Sequence, residues 1–361
     1  MHLNSPTLIR KYRQLLVGAM LLLSLLPTLL TSCQANKEKE LKVLQFNIWQ
    51  EGTIVPNGYP AILDEIIRLD ADLIALSEVR NYNNQSLAER LVRDLKERGH
   101  TYYSETSYDS GILSRYPIVS QVMLFPAVDD HGSVTKAIIN IDGTEVALYS
   151  AHLDYRNCSL YLPRGYDGST WEKLDSIITD TEIIAFDNLQ SQRDEAIEAI
   201  IADAQIEQEK GRLTLLGGDF NEPSHLDWTE ATKDLFDHNG VVMEWHNTKR
   251  LEQAGFIDTY RQRYPNPVTH PGFTFPADNP LVDIKKLAWA PEADDRDRID
   301  FIFYQPHSRL QLTDAAIVGP RGSIIRNERI GEQSNDSIIP PMTIWPTDHK
   351  AILATFKLKS K

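Results

Sequence analysis

The chain has 361 residues, 42% hydrophobic and 24% charged, the composition of a folded body with room for one large core or two ordinary domains. Its formal charge is −14, and removing residues 1–33 takes away Arg10, Lys11 and Arg13 but no acid, so the balance falls to −17. Such a body is a poor non-specific polyanion binder, since that affinity comes from Lys and Arg, but a phosphate substrate is not excluded beside a divalent ion that reverses the local field.

The first element is a leader. Arg10, Lys11 and Arg13 precede an apolar run over 15–30, and polar residues resume at TSCQANKEKE. A basic head, apolar middle and small-residue exit are the layout of a secretory signal. A membrane anchor is the competing reading, but a run of 16 residues broken by Pro27 is short against the ~20 a bilayer requires. The LTSC at 30–33 resembles the bacterial lipoprotein processing box. That resemblance implies cleavage before Cys33, diacylation of its sulfur, and an exported chain lipid-anchored in the cell envelope, periplasmic or cell-surface. Residues 1–32 are then a signal peptide, 33–41 a polar tether and 42–361 the catalytic domain. With Cys33 lipidated, Cys158 has no disulfide partner, which is ordinary for an exported protein with a large core. Cys158 reads as a loop residue without a nucleophilic setting, and no CxxC or HExxH argues for structural zinc.

Beyond the tether, strand-like runs cover 42–49, 73–79, 111–113 with 119–124, 136–141, 145–153, 213–219, 299–304 and 351–358. Helical spacing lies between some of them: Ile62, Ile66 and Leu69 share a face over 59–70, and Leu87, Leu91 and Leu95 over 86–99. A third helix is expected over 187–207, through Leu189, Ile197 and Ile200. This mixture predicts an α/β domain with helix-covered sheets. Two stretches, 156–181 and 265–297, are rich in Gly, Pro, aromatics and charge and read as functional loops.

Several strands end in a carboxylate, amide or imidazole. KVLQFNIW carries Asn47, DLIALSEV carries Glu78, and VALYSAHLDY ends in His152 and Asp154. LTLLGGDFNEP places Asp219 and Asn221 two apart beyond a Gly-Gly that admits close backbone approach, and DRIDFIFY places Arg298 and Asp300 on one face. Any one of these is also readable as a satisfied turn residue. Ionised groups beside apolar runs are costly unless paired or metal-bound, and ligands in α/β folds bind at strand ends, so the recurrence points to a site.

The motifs LQFNIW, LIALSEV, DSGILSRYPI, SAHLDY, GGDFNEP, DRIDFIF and TDHKAI follow one another in the order found in the endonuclease/exonuclease/phosphatase superfamily, which the chain resembles from Leu41 to about Leu358. Pancreatic deoxyribonuclease, apurinic endonuclease, neutral sphingomyelinases, inositol polyphosphate phosphatases and deadenylases belong to it. The resemblance implies a four-layer α/β sandwich, two mixed β-sheets packed face to face with helices outside. It also implies metal-dependent hydrolysis of a phosphoester, with a phosphodiester preferred.

Carried over to this sequence, Glu78 matches the principal metal-binding carboxylate, with Asn47 beside it and Asp348 in the metal shell. Oxygen ligands of this kind suit Mg²⁺ or Mn²⁺. Asp219 and Asn221 match the pair that positions water and phosphate, His152 and His349 are the candidate proton donors, and Asp300 is the expected partner of His349. Asp219 is the candidate base. Arg298, Tyr155 and Arg164 are candidate substrate contacts, together with Arg156, Tyr161 and Trp171, although an ion pair of Arg298 with Asp295 or Asp297 fits equally. The segment 270–276 resembles the family's substrate-side stretch. Nucleic acid stays open as a substrate although the charge does not favour it, and a binding lipoprotein that merely keeps the fold is the non-enzymatic alternative. No protein partner is implied.

Overall fold

The computed structural model describes residues 38–359. The expected signal peptide, Cys33 and the first part of the tether lie outside them. One sheet takes β1 (Glu38–Asn47), β2 (Leu73–Val79), β3 (Asp109–Ser114), β10 (Leu310–Val318), β13 (Ile338–Ile339) and β14 (Ala351–Lys359), in the order β13-β10-β14-β1-β2-β3. The other takes β4 (Ile118–Phe125), β5 (Gly132–Ile141), β6 (Thr144–Leu153), β7 (Leu213–Asp219), β8 (Ile257–Asp258) and β9 (Asp300–Tyr304), in the order β4-β5-β6-β7-β9-β8. A separate hairpin joins β11 (Gly322–Ile325) to β12 (Glu328–Gly331). Both large sheets are mixed: β1 runs parallel to β2 and antiparallel to β14, and β6 runs parallel to β7 and antiparallel to β5.

Alternation along the strands explains the layers. Leu41 and Val43 of β1 pack in one cluster with Val146 and Leu148 of β6 and Leu215 of β7, filling the space between the sheets. Leu44 and Phe46 turn the other way, onto Ile62, Ile66 and Leu69 of α1 (Gly58–Leu69) and Leu91 and Leu95 of α2 (Leu87–Glu97). On the far side, Tyr149, Leu216 and Phe301 meet Ile197 and Ile200 of the long helix that follows α3 (Thr181–Asn188), namely α4 (Arg193–Glu209). This is the expected four-layer α/β sandwich.

Two expectations need correction, and one strand had gone unnamed. The tether cannot reach residue 41, because Glu38 already pairs with Lys359 and Leu41 is fully buried. Ladder hydrogen bonds extend the strand through residues whose polar side chains face water. The single helix over 187–207 is two helices, and Leu189 is exposed. The break lets the buried Arg193 guanidinium reach the carbonyls of Asp154 (2.6 Å) and Arg156 (2.7 Å), which tie down the loop after β6. Finally, β10 lacked a strand signal because a bulge between Leu312 and Asp314 interrupts its alternation.

The interior changes character toward one end. Continuing each inner face past its apolar residues, β1 presents Gln45 and Asn47, β6 presents Ser150 and His152, and β7 presents Gly217 and Asp219. Registration places His152 opposite Asp219, and Asp219 opposite Asp300, in one row across three strands. At Gly217 a Cβ would lie 2.8 Å from the Ala75 methyl, so glycine there allows the two sheets to close up behind Asp219.

Candidate functional site

The polar ends of the strands meet across the gap between the sheets. Asn47 Nδ2 donates to Asp219 Oδ2 at 2.9 Å, and Gln45 Nε2 donates to Asp300 Oδ1 at 2.9 Å. His349 Nδ1 lies 2.8 Å from Asp300 Oδ2, and His152 Nδ1 lies 2.8 Å from Asp109 Oδ1. The Nε2 atoms of His349 and His152 then stand 3.7 and 3.9 Å from Asp219 Oδ2. One carboxylate is therefore flanked by two imidazoles, each held from behind by a further buried carboxylate. The fixed Nδ1 contacts leave both Nε2 atoms facing a cavity of about 310 Å³ that Glu78, Asn221, Asp348 and Tyr155 also line.

Backbone distortion aims several of these groups. A bulge in β2 between Ser77 and Val79 frees Glu78 from the ladder, with φ at +70°. Asp109 (+66°), Asn221 (+49°), Trp49 (+37°) and Gln50 (+53°) share this left-handed region, which is uncommon for Trp and Gln. The left-handed turn brings the Gln50 N–H onto Glu78 Oε2 at 2.9 Å and buries Glu51, whose Oε1 accepts from the Asn81 (2.6 Å) and Arg80 (3.0 Å) N–H groups. The 270–276 segment serves the same end: Thr274 Oγ1 accepts from the Ile299 (3.0 Å) and Asp300 (3.1 Å) N–H groups, and Phe275 packs 5.0 Å from the His349 ring.

Electrostatics follow from this crowding. Burial opposes the charged form of His152, but Asp109, with Asp219 and Glu78 beyond it, lifts its pKa to about 9. Burial likewise opposes His349, and Asp300 and Asp219 raise it well above the ordinary histidine value. Burial raises Asp219, with His349 pulling down and Asp300 pushing up. Burial and the charge of Glu78 push Asp348 up to about 7 despite His349. Burial takes the Cys158 thiol to about 12, so it is protonated at neutral pH.

The chain matches the Endonuclease/Exonuclease/phosphatase family over residues 44–349, a span that contains every one of these groups. It belongs to that family. A Caenorhabditis elegans protein described as uncharacterized is 30% identical over 322 residues, covering 88% of this chain and 91% of the relative. Among solved structures, the human Nocturnin catalytic domain with bound sulfate is 14% identical with a TM-score of 0.49, covering 89% of this chain and 94% of that one. A D. rerio TDP2 complexed with a single-strand DNA product is 15% identical with a TM-score of 0.48, covering 88% and 99% respectively. Likenesses of this size carry no residue-by-residue correspondence.

Members of the endonuclease/exonuclease/phosphatase family are typically phosphoesterases, nucleases and phosphatases among them, and generally depend on a divalent metal. The donor set here fits such an ion. Glu78 and Asp348 are hard oxygen donors that line the same cavity. Asp219, Asp300 and His349 also bring ligand atoms within 4.8 Å of one another. Both Asp300 oxygens and His349 Nδ1 are already engaged there, so that trio is better described as an oriented imidazole beside a carboxylate.

The structure brings together Asn47, Glu78, His152, Asp219, Asn221, Asp300, Asp348 and His349, but not all of the expected substrate contacts. Tyr155 lines the cavity. Arg298 does not: it is 1% exposed, with Nη1 on Asp258 Oδ2 at 2.6 Å and Nε on Asp227 Oδ2 at 2.9 Å. It precedes β9, so the strand alternation that would pair it with Asp300 does not apply, and its ion-pair partners are neither Asp295 nor Asp297. Arg164 is also buried, and its Nη1 donates to Asp297 Oδ2 at 2.6 Å. A buried guanidinium needs carboxylates and carbonyls around it, and these hold both arginines in the interior, so neither lines the cavity.

Asp154 was expected on the His152 face. The strand ends at Leu153, and Asp154 turns to His131 Nδ1 at 2.7 Å instead. Asp109, the actual partner of His152, escaped the sequence reading even though it opens the DSGILSRYPI motif. Asp348 and His349 both line the cavity because 347–350 precede β14, so alternation does not separate them.

Proposed function

We propose that this chain is a divalent-metal-dependent hydrolase of a phosphodiester, exported and held at a membrane through lipid on Cys33. The observation that carries the catalytic half is Asp219 between His152 and His349 Nε2, in a cavity that Glu78 and Asp348 also line. Glu78 and Asp348, with Asn47 near them, would hold a Mg²⁺ or Mn²⁺, and the ion would supply charge neutralisation on the phosphate and on the departing oxygen. The remaining work belongs to the chain. Asp219 takes a proton from the water whose oxygen forms the new bond to phosphorus, and Asn221 beside it orients the phosphate. The P–O ester bond then breaks, and the leaving alkoxide takes a proton from an imidazole whose charged form Asp300 or Asp109 sustains. The buried pairs exclude competing hydrogen bonds to water, so each Nε2 is aimed before substrate arrives.

The test is turnover of bis(p-nitrophenyl) phosphate by the full folded chain with Mg²⁺ or Mn²⁺. Activity should vanish with chelator and return with metal, and turnover indifferent to chelator would overturn the reading. Export rests on Arg10, Lys11, Arg13, the apolar run that follows them and LTSC. Mass spectrometry of the mature N-terminus should find a diacylated Cys33, and Cys33→Ser should release the protein from the membrane fraction. An unmodified Cys33, or a variant that stays with the membrane, counts against the anchor.

A further inference from the structure

The cavity has a second wall that the hydrolytic groups do not use. The 156–181 and 265–297 segments build it, and its aromatic rings are continuous. Tyr155 and Trp171 lie nearly parallel, at 12° with centroids 6.0 Å apart, and Trp171 meets Trp289 at 4.8 Å. Trp289 is 43% exposed, a large aromatic left open at the rim. The rings cover one another and so make a single apolar face rather than two jaws for a flat base.

Beside this face stands Asp295, 1% exposed, whose Oδ2 accepts from the Trp289 (3.1 Å) and Ala290 (3.2 Å) N–H groups. Its Oδ1 has no hydrogen-bond partner, and neither has Trp171 Nε1. Buried polar atoms are seldom left unpaired, and a ligand hydroxyl would satisfy both kinds, donating to Oδ1 and accepting from Nε1. Charge narrows the ligand further. Among the described residues the cavity wall carries one guanidinium, Arg80, already paired with Asp109 (2.7 Å) and Asp130 (3.3 Å). Away from His152 and His349, a ligand with phosphates on both sides of the scissile one would meet carboxylates and only this already paired guanidinium.

We propose that Trp171, Trp289 and Asp295 form a subsite for a neutral polyhydroxylated six-membered ring, a sugar or an inositol, attached to the phosphate that is cleaved. The ring's C–H face lies on the aromatic wall, and its hydroxyls reach Asp295 Oδ1 and Trp171 Nε1. The attachment to a cleaved phosphate rests on the hydrolase reading, whereas the ring subsite does not.

Glycerophosphoinositol, a glycerophosphoglucose and glycerophosphoethanolamine are all glycerophosphate diesters that differ in the attached group, so the first two distinguish an inositol from a sugar. The wild-type chain should prefer at least one ring substrate over glycerophosphoethanolamine by tenfold or more in kcat/KM. Trp289→Ala, at an exposed position, and Asp295→Asn should each cut that ratio at least tenfold, chiefly through KM. Separately, free myo-inositol or methyl glucoside should change the tryptophan emission of the wild-type chain, and Trp289→Ala should lose the change. If diesters are cleaved but the ratio ignores both variants, or a dinucleotide or adenosine monophosphate outcompetes both ring substrates, the subsite is wrong while the hydrolase stands. If nothing is cleaved yet the emission change occurs and needs Trp289, the hydrolase reading falls and the subsite stands. Absence of both overturns the subsite.

Discussion

His349→Ala is expected to lower kcat for a phosphodiester by about 10²- to 10⁴-fold at neutral pH, the usual worth of a positioned proton donor. The ring is not a passive core histidine. Its Nδ1 is fixed 2.8 Å from Asp300, its Nε2 faces the cavity 3.7 Å from Asp219, and the two carboxylates raise its pKa against the cost of burial. Removing it leaves Asp300 Oδ2 buried without that donor, which costs about 1–3 kcal/mol of stability. Gln45 still serves Oδ1, and the Ile299 and Asp300 N–H groups still bind Thr274, so the strand end stays in place. Circular dichroism and a urea melt should therefore show a folded, somewhat weakened protein with almost no turnover. A folded variant within about threefold of wild-type kcat would take His349 out of the chemistry.

Glu78→Gln is the second large effect, expected to lower kcat/KM by about 10²-fold or more, because several kcal/mol of Lewis-acid stabilisation depends on the charge that holds the ion. The substitution keeps shape, and the Gln carbonyl can still accept from the Gln50 N–H that now binds Glu78 Oε2 at 2.9 Å. It relieves the repulsion that, with burial, pushes Asp348 up to about 7 but also removes attraction for His152, so the metal-free variant and the metal-free parent should be similarly stable. The two proteins should part on adding Mn²⁺ or Mg²⁺. An ion at 100 times its dissociation constant stabilises by about 2.7 kcal/mol, and that upward shift in Tm should appear in the parent and not in the variant. Equal metal-induced shifts in both would move the metal centre away from Glu78.

These two residues show what could be read without coordinates. Glu78 and His349 stood out because an apolar run met a group too polar to bury alone, and the family motifs supplied their order. The same reasoning placed Asn47, His152, Asp219, Asn221, Asp300 and Asp348 in one site, because each belongs to a motif whose neighbours are legible. It failed where the answer depended on what lies across a gap. Alternation tells which face of its own strand a side chain occupies, not which strand comes to meet that face. Asn47 meets Asp219 across 172 positions of sequence, and Gln45 meets Asp300 across 255. It also fails at strand ends, where Asp154 and Asp348 leave the period and a bulge re-aims Glu78.

Arg298 and Arg164 illustrate the other limit. A cation near a motif looks free to hold phosphate until burial shows that Asp227, Asp258 and Asp297 already occupy it. The family, the sandwich and the set of polar strand ends are legible along the chain, since each follows from local pattern and motif order. Tertiary structure alone decided the pairing of His152 with Asp109, the loss of both arginines to the interior, and the aromatic wall beside Asp295. Each of those depends on desolvation and on contact between distant segments, which local pattern does not encode.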